Sequence, residues 1–441
     1  MGGEAVPANR GVSVFPSPSE NEIREAYESA RRAYAAMGVD TDAALDRAAA
    51  VPISIHCWQG DDVAGFERKP GAAGGGGILA TGRYPGRARN ADELRQDLEK
   101  VLALIPGTLR VNLHAIYAET DGRAVDRDAL EPKHFARWVA WAKEKSLGLD
   151  FNPTYFAHPK SADGFTLSHR DPAVREFWIR HGIACRRIGE AMARELQKPC
   201  VVNHWAPDGA KDSPADRWSP RRRLMESFDA VFSEGLGIGR GLCIDSVEGK
   251  LFGLGSEDYV VGSHEFYLGY ALSRGILVCL DMGHFHPTET VHDKLSAILA
   301  FQSRILLHAS RPIRWDSDHV VLFNDDLRAV FLELVRGDAL DRAAVALDYF
   351  DASINRIAAY VIGARATRKA ILYALLEPCE TLRELEAAGR GAQKLALMEE
   401  AKTMPFGAVW DMLCLKAGRP AGGAWISEIE PYEKKVLAQR K

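Results

Sequence analysis

The chain has no cysteines spaced as CxxC. Its seven, Cys57, Cys185, Cys200, Cys243, Cys279, Cys379 and Cys414, are odd in number and scattered. That usage excludes a disulfide framework, argues against a structural zinc knot, and fits a reducing compartment. No apolar run approaches the 18 residues of a spanning helix, so no membrane segment is expected. A basic excess is also missing: the net charge is -4 and the pI near 6.4, which argues against a nucleic-acid partner. The opening MGGEAVPANRGVSVFPSPSE lacks an apolar signal-peptide core, and Val6 spoils the myristoylation pattern. Residues 1–20 are therefore expected to form a flexible tail on a cytoplasmic protein.

Three catalytic signatures are absent as well. HPTETVH (286–292) does not have the HExxH spacing of a zinc helix, and no nucleophile elbow is present. GAAGGGG (71–77) opens no helix and reads as a flexible loop, not a dinucleotide fingerprint. Cys57 beside His56 has apolar neighbours and reads as an inert buried thiol.

What is present is a rhythm. With 46% hydrophobic and 26% charged residues in 441, the chain can bury a large core. After a helical segment near Glu20 to Ala50 come eight apolar, β-branched runs: VPISIHCW (51–58), RVNLHAIY (110–117), LGLDFNP (147–153), CVVNHWAP (200–207), GLCIDSVEG (241–249), GILVCLDMGHF (275–285), RILLHASRP (304–312) and AAVALDYFD (343–351). Amphipathic stretches such as 91–105 and 134–146 lie between them. Eight alternations of strand and helix predict a (β/α)8 TIM barrel; a doubly wound open sheet is the alternative. The predicted organisation is a tail (1–20), a barrel domain with a leading helix (21–352), and a C-terminal helical extension (353–441).

In such a barrel the chemistry sits at the carboxyl ends of the strands. Strand five ends with Glu248 and Lys250, strand six with Asp281 and His284, strand seven with His308, and strand eight with Asp348 and Asp351. The loop after strand seven carries RWDSDH, in which Asp316 and Asp318 would repel each other unless a cation lay between them. Crowded carboxylates and imidazoles suit Mn²⁺, Mg²⁺, Co²⁺ or Zn²⁺, and seven candidate ligands suit two ions.

The motifs IHCWQGDDVAGFE, RYPGRARN, NLHAIYAETD, LGLDFNP, HPKSADGFTLSH, CLDMGHFHPTE, SRPIRWDSDHVV and FDASINRIAAY resemble the bacterial L-rhamnose isomerase family, whose barrel is of the xylose-isomerase type. The likeness runs from about residue 25 to the C-terminus; the tail shows none. EGK at 248–250, where ESK is expected, and AAGGGG in the first long loop are small departures. The resemblance implies an aldose–ketose isomerase interconverting L-rhamnose and L-rhamnulose, dependent on Mn²⁺ and homotetrameric. It implies His284, Asp316 and Asp318 as ligands of a catalytic ion, and Glu248, Asp281, His308 and Asp348 as ligands of a structural one. It further implies Trp205 and Lys250 as substrate contacts and His114 as the ring-opening residue.

A mechanism follows as an expectation. Hydrogen moves as hydride between C1 and C2, Lys250 donates to O1, His114 transfers the ring-opening proton, and metal-bound hydroxide, Asp341 or Asp348 handles the O2 proton. The rival is an enediol route. Trp58, Phe66, Ile116 and Tyr117 are expected around the 6-methyl group. Other classes weighed are a metal-dependent sugar epimerase, a barrel phosphoesterase acting on DNA, and a non-catalytic barrel.

Overall fold

Each of the eight apolar runs forms a strand in the computed structural model, which describes residues 15, 17–67, 80–250, 257–286, 288–313 and 316–440, with backbone alone at 312 and 316–318. The strands are β1 (Ile53–His56), β2 (Leu109–His114), β3 (Gly148–Asn152), β4 (Cys200–Trp205), β5 (Cys243–Glu248), β6 (Leu277–Asp281), β7 (Ile305–Ala309) and β8 (Ala343–Leu347). They pair in parallel in sequence order, and β8 closes on β1 through Ile53↔Val345 and Ser54↔Ala346. Most strand residues are buried, as expected where helices cover a closed parallel sheet from outside. The fold is the predicted (β/α)8 barrel.

The helices are α1 (Glu20–Ala35), α2 (Thr41–Ala50), α3 (Ala91–Leu102), α4 (Ala136–Glu144), α5 (Pro172–Leu196), α6 (Trp218–Val231), α7 (His264–Arg274), α8 (His292–Leu299), α9 (Asp325–Arg336) and α10 (Arg356–Leu375). Local signals set their ends. Ser19 and Glu22 form a capping box on α1, Asp171 caps α5 ahead of Pro172, and Asn90, Asn324 and Asn355 cap α3, α9 and α10. Glu20, the last residue of the expected tail, already begins a helix. Residues 1–14 and the glycine run 71–77 lie outside the described residues.

Just past the expected boundary at 353 comes α10. Helix α10 packs against α9, α2 and α3, so it completes the barrel's own helical ring. Its sides are nearly all covered, and fully buried Arg368 donates to the carbonyls of Ala48, Val51, Pro106 and Thr108. Burial without an acidic partner pushes that guanidinium down to about 9. The extension proper is α11 (Cys379–Ala387), α12 (Gly391–Lys402), α13 (Phe406–Lys416) and α14 (Trp425–Lys435), with α13 packed on α1, α2 and α10.

Alternation along the strands builds the site. Val201, Cys279, Leu306 and Ala346 form a small apolar cluster separate from the main core. Two residues further along the same strands, and so on the same face, come Asn203, Asp281, His308 and Asp348. Register places Asp281 directly beside His308, and Trp205 beside Glu248. Beyond the β7 rim, Arg311–Ile313 and Asp316–His319 form a short antiparallel ribbon, so the backbone of RWDSDH is extended where Asp316 and Asp318 stand.

Candidate metal centre and sugar pocket

One imidazole and three carboxylates meet at the rim. His308 Nδ1 lies 3.3 Å from Asp348 Oδ2 and 3.5 Å from both Glu248 Oε2 and Asp281 Oδ2. A ligand atom from each of Glu248, Asp281, His308 and Asp348 lies within 4.8 Å of the others. His308 is 1% exposed, yet neither ring nitrogen makes a well-formed hydrogen bond. An orphaned buried imidazole ringed by three acids is costly unless something positive joins them. The arrangement fits a divalent cation with one nitrogen and three oxygen donors.

Neighbouring groups fix each carboxylate from behind. Asn203 Nδ2 donates to Glu248, Trp58 Nε1 donates to Asp348 Oδ1 at 3.0 Å, and Ser310 Oγ and the Gly283 N–H donate to Asp281 Oδ1 at 2.6 and 2.7 Å. Such supporting bonds orient metal ligands. Burial opposes the charged imidazole of His308, but the acids around it raise it well above the usual range. Burial likewise opposes ionisation of Glu248, which His308 and His284 nevertheless hold well below the normal carboxylate range. Cys279 is close enough to join Glu248 and His308, but burial pushes its thiol far up, so the carboxylate set is the better donor group.

His284 stands next to this set. Its Nδ1 lies 3.0 Å from the Gly249 carbonyl and 2.9 Å from Glu248 Oε1. The carbonyl can only accept, so Nδ1 carries a proton, which leaves Nε2 as the nitrogen that would face a cation once it gives up its own proton. Burial lowers His284, but Asp281 and Glu248 outweigh it and bring the group to about 8. The side chains of Asp316 and Asp318, expected beside it, lie outside the described residues.

The pocket above is walled by Trp58, Val63, His114, Asn152, Phe156, Trp205, Lys250, His284, Asp348 and Phe350. Lys250 Nζ sits 5.4 Å over the Trp205 ring, which itself stacks on His284 at 6.4 Å. Two consecutive residues of the loop after β1, Asp62 and Val63, have φ of 60° and 57°. This left-handed backbone is strained for β-branched valine. Asp61, accepting from Tyr117 Oη at 2.7 Å and the Gly65 N–H at 2.8 Å, and the 2.7 Å ion pair of Asp62 with Arg356 hold it.

Of the expected site residues, the structure brings together Glu248, Asp281, His284, His308 and Asp348, with Trp58, His114, Trp205 and Lys250 lining the pocket above. Others fall elsewhere. Asp341 is on a 3₁₀ turn before β8, at the opposite end of the barrel, exposed and paired with Arg47. A residue preceding its strand cannot reach the carboxyl rim, so its expected proton-transfer role is corrected. Tyr117 is fully buried with its hydroxyl spent on Asp61, and Ile116 is packed against Gly65. Phe66 stands edge-on to Tyr117. These three support the wall from behind, while Val63, Phe156 and Phe350 face the pocket. Sequence reasoning missed Asn152 and Asn203, although both share the inward face of their strands with the recognised rim residues.

A family model described as L-rhamnose isomerase (RhaA) matches residues 21–440. The chain belongs to the L-rhamnose isomerase family. It is 55% identical over 418 residues to the L-rhamnose isomerase of Rhodopirellula baltica, covering 95% of this chain and 97% of that one. It is 56% identical over 418 residues to that of Cronobacter sakazakii, covering 95% and 99%. Among solved structures, an L-ribulose 3-epimerase aligns at 13% identity over 76% of this chain and 97% of its own, with a TM-score of 0.46. The L-rhamnose isomerase match spans the entire barrel, including every strand that supplies the rim set.

Proposed function

We propose that this chain interconverts L-rhamnose and L-rhamnulose with the help of divalent cations, Mn²⁺ by preference, with Zn²⁺ or Co²⁺ as alternatives. The observation that carries the reading is a full-length family match on a chain whose rim keeps an orphaned histidine among three acids. Glu248, Asp281, His308 and Asp348 hold one ion; His284, with Asp316 and Asp318, holds a second. When bound, such an ion polarises the sugar carbonyl and lowers the pKa of the neighbouring hydroxyl.

The chain's own groups do the remaining work. Lys250, held over Trp205, donates to O1 as charge develops there. Asp348, kept ionised by His308 against the opposing effect of burial, receives the O2 proton, and Trp58 fixes its other oxygen. His114 faces the sugar ring for ring opening. Trp205, Phe156, Phe350 and Val63 exclude water and contact the 6-methyl group, worth about 1–3 kcal/mol of discrimination. Hydrogen passes from C2 to C1 within the substrate as hydride. Solvent deuterium appearing at C1 during turnover in D₂O would refute that route in favour of an enediol.

The deciding assay is turnover of L-rhamnose, abolished by chelation and restored by Mn²⁺. Activity untouched by exhaustive chelation would sink the metal role. The reading extends to a cytoplasmic homotetramer. Seven free cysteines and exposed Trp218 and Phe301, which a partner subunit would cover, support it. Among the described residues no helix is long and apolar enough to cross a membrane. Sedimentation analysis tests the tetramer.

A further inference from the structure

Just beyond β3, Thr154 is fully buried and uses all three of its polar groups. Its N–H donates to His181 Nε2 at 3.0 Å, its carbonyl accepts from Arg127 Nη1 at 2.6 Å, and its Oγ1 lies 3.1 Å from His114 Nδ1. The first two bonds define the third partner's surroundings. His181 Nδ1 is 3.0 Å from the Arg127 carbonyl, which can only accept. His181 therefore carries its proton on Nδ1 and offers the lone pair of Nε2 to Thr154. Burial, then the Arg127 charge, keep this histidine neutral, pushing it down to about 3. Arg127, itself 1% exposed, is anchored on Glu67 at 2.9 Å and on the Phe156 and Ala157 carbonyls. Thr154 is thus held on two sides by groups that have no freedom to turn.

Its hydroxyl has one hydrogen and, among the described residues, one partner, His114 Nδ1. Were Nδ1 protonated and donating to Oγ1, the hydroxyl hydrogen would be stranded in a site closed to water. Buried donors are bonded where an acceptor is in reach. The arrangement that satisfies both atoms has the Thr154 O–H donating to an unprotonated Nδ1. His114 is then protonated at Nε2, on a ring that lines the pocket.

We infer that Thr154 is a positioning residue that fixes His114 as its Nε2–H tautomer, so that His114 meets the substrate as a hydrogen-bond donor to a hemiacetal or hydroxyl oxygen and not as a base. This rests on the reading of the pocket as a sugar site. It also revises the expectation that His114 carries a proton during ring opening: a neutral Nε2–H imidazole polarises the oxygen it touches without gaining or losing a proton. The buried chain from Arg127 through His181 to Thr154 serves that one orientation.

The test is a two-bond ¹⁵N–¹H correlation on full-length protein labelled at histidine and loaded with diamagnetic Mg²⁺, with the His114 signals assigned by their loss in His114→Gln. The expected result is a protonated Nε2 and a bare Nδ1. In Thr154→Val the tautomers should mix and kcat/KM for L-rhamnose should fall about tenfold or more, whereas Thr154→Ser should restore both the spectrum and the rate. A protonated Nδ1 in the unaltered protein overturns the inference, and that measurement stands even if the valine variant does not fold. So does a folded Thr154→Val that loses activity with its tautomer unchanged, or one that changes tautomer and keeps full activity. Failure of the unaltered protein to turn over L-rhamnose would instead overturn the substrate reading and leave the tautomer result intact.

Discussion

The two ends of the barrel both carry charged side chains, and they treat them in opposite ways. At the amino-terminal mouth, Asp150 accepts from Arg110 Nε and Nη2 at 2.9 and 2.8 Å, from Ser54 Oγ at 2.7 Å and from the Val201 N–H at 3.0 Å. Gly148 leaves room for this, since a Cβ there would lie 2.3 Å from the Arg110 guanidinium. Asp150 and Arg110 complement each other, and the pair is self-sufficient. At the carboxyl rim, three acids face one imidazole. The same chemical groups hold the fold together at one end and await a guest at the other. What distinguishes them is whether the charge is balanced by the chain itself.

That contrast can be broken by exchanging its terms. The largest effect is expected from Glu248→Gln, which should lower kcat by about a thousandfold or more through loss of cation binding. A variant that keeps both its cation affinity and its kcat would contradict the assignment of Glu248 to the ligand set. At the mouth, Asp150→Asn should do the reverse. Leaving the partly buried Arg110 with a weakened partner should cost about 1–3 kcal/mol in chemical denaturation, with kcat of the folded protein close to normal.

Acid should sharpen the difference further. Burial pushes His56 and His114 down to about 4 and His181 to about 3, the charges of Asp348 acting against it at the first two. The unfolded chain binds protons at these groups near pH 6.5, while the folded chain does not. Their contribution is therefore complete above about pH 6.5 and is lost as the pH falls toward 4. Thermal melts of metal-free protein should fall steadily over that window; a flat profile would show that these histidines are not held neutral. The smallest effect is expected from Asp341→Asn. Its exposed pair with Arg47 should be worth less than about 1 kcal/mol, and steady-state rates should be unchanged within error. A large loss of kcat there would restore Asp341 to the chemistry.

Much of this was open to reading along the chain. The eight β-branched runs, their spacing and the polar residue that closes each one reveal a barrel and a rim, because inward positions recur every second residue and strand ends share a side. Glu248, Asp281, His308 and Asp348 could be named that way. Asp341 could not be judged, since proximity in sequence to Asp348 hides that a whole strand, and thus the depth of the barrel, separates them. Tyr117, Ile116 and Phe66 look like pocket residues from their strand and loop positions. Only the path of the loop after β1, bent through two left-handed residues and tied to α10 by Arg356, puts Val63 in front and the aromatic wall behind.

The order of residues alone therefore determined the periodicities, and with them the barrel, the rim and the family, because each depends on spacing along one chain. Which charges are paired, which histidine nitrogen holds a proton, and which apolar side chain touches the pocket were decided by tertiary structure. Those properties depend on distances of a few ångströms between residues as far apart as Asp62 and Arg356, and on the exclusion of water between them. Spacing along the chain carries no record of either.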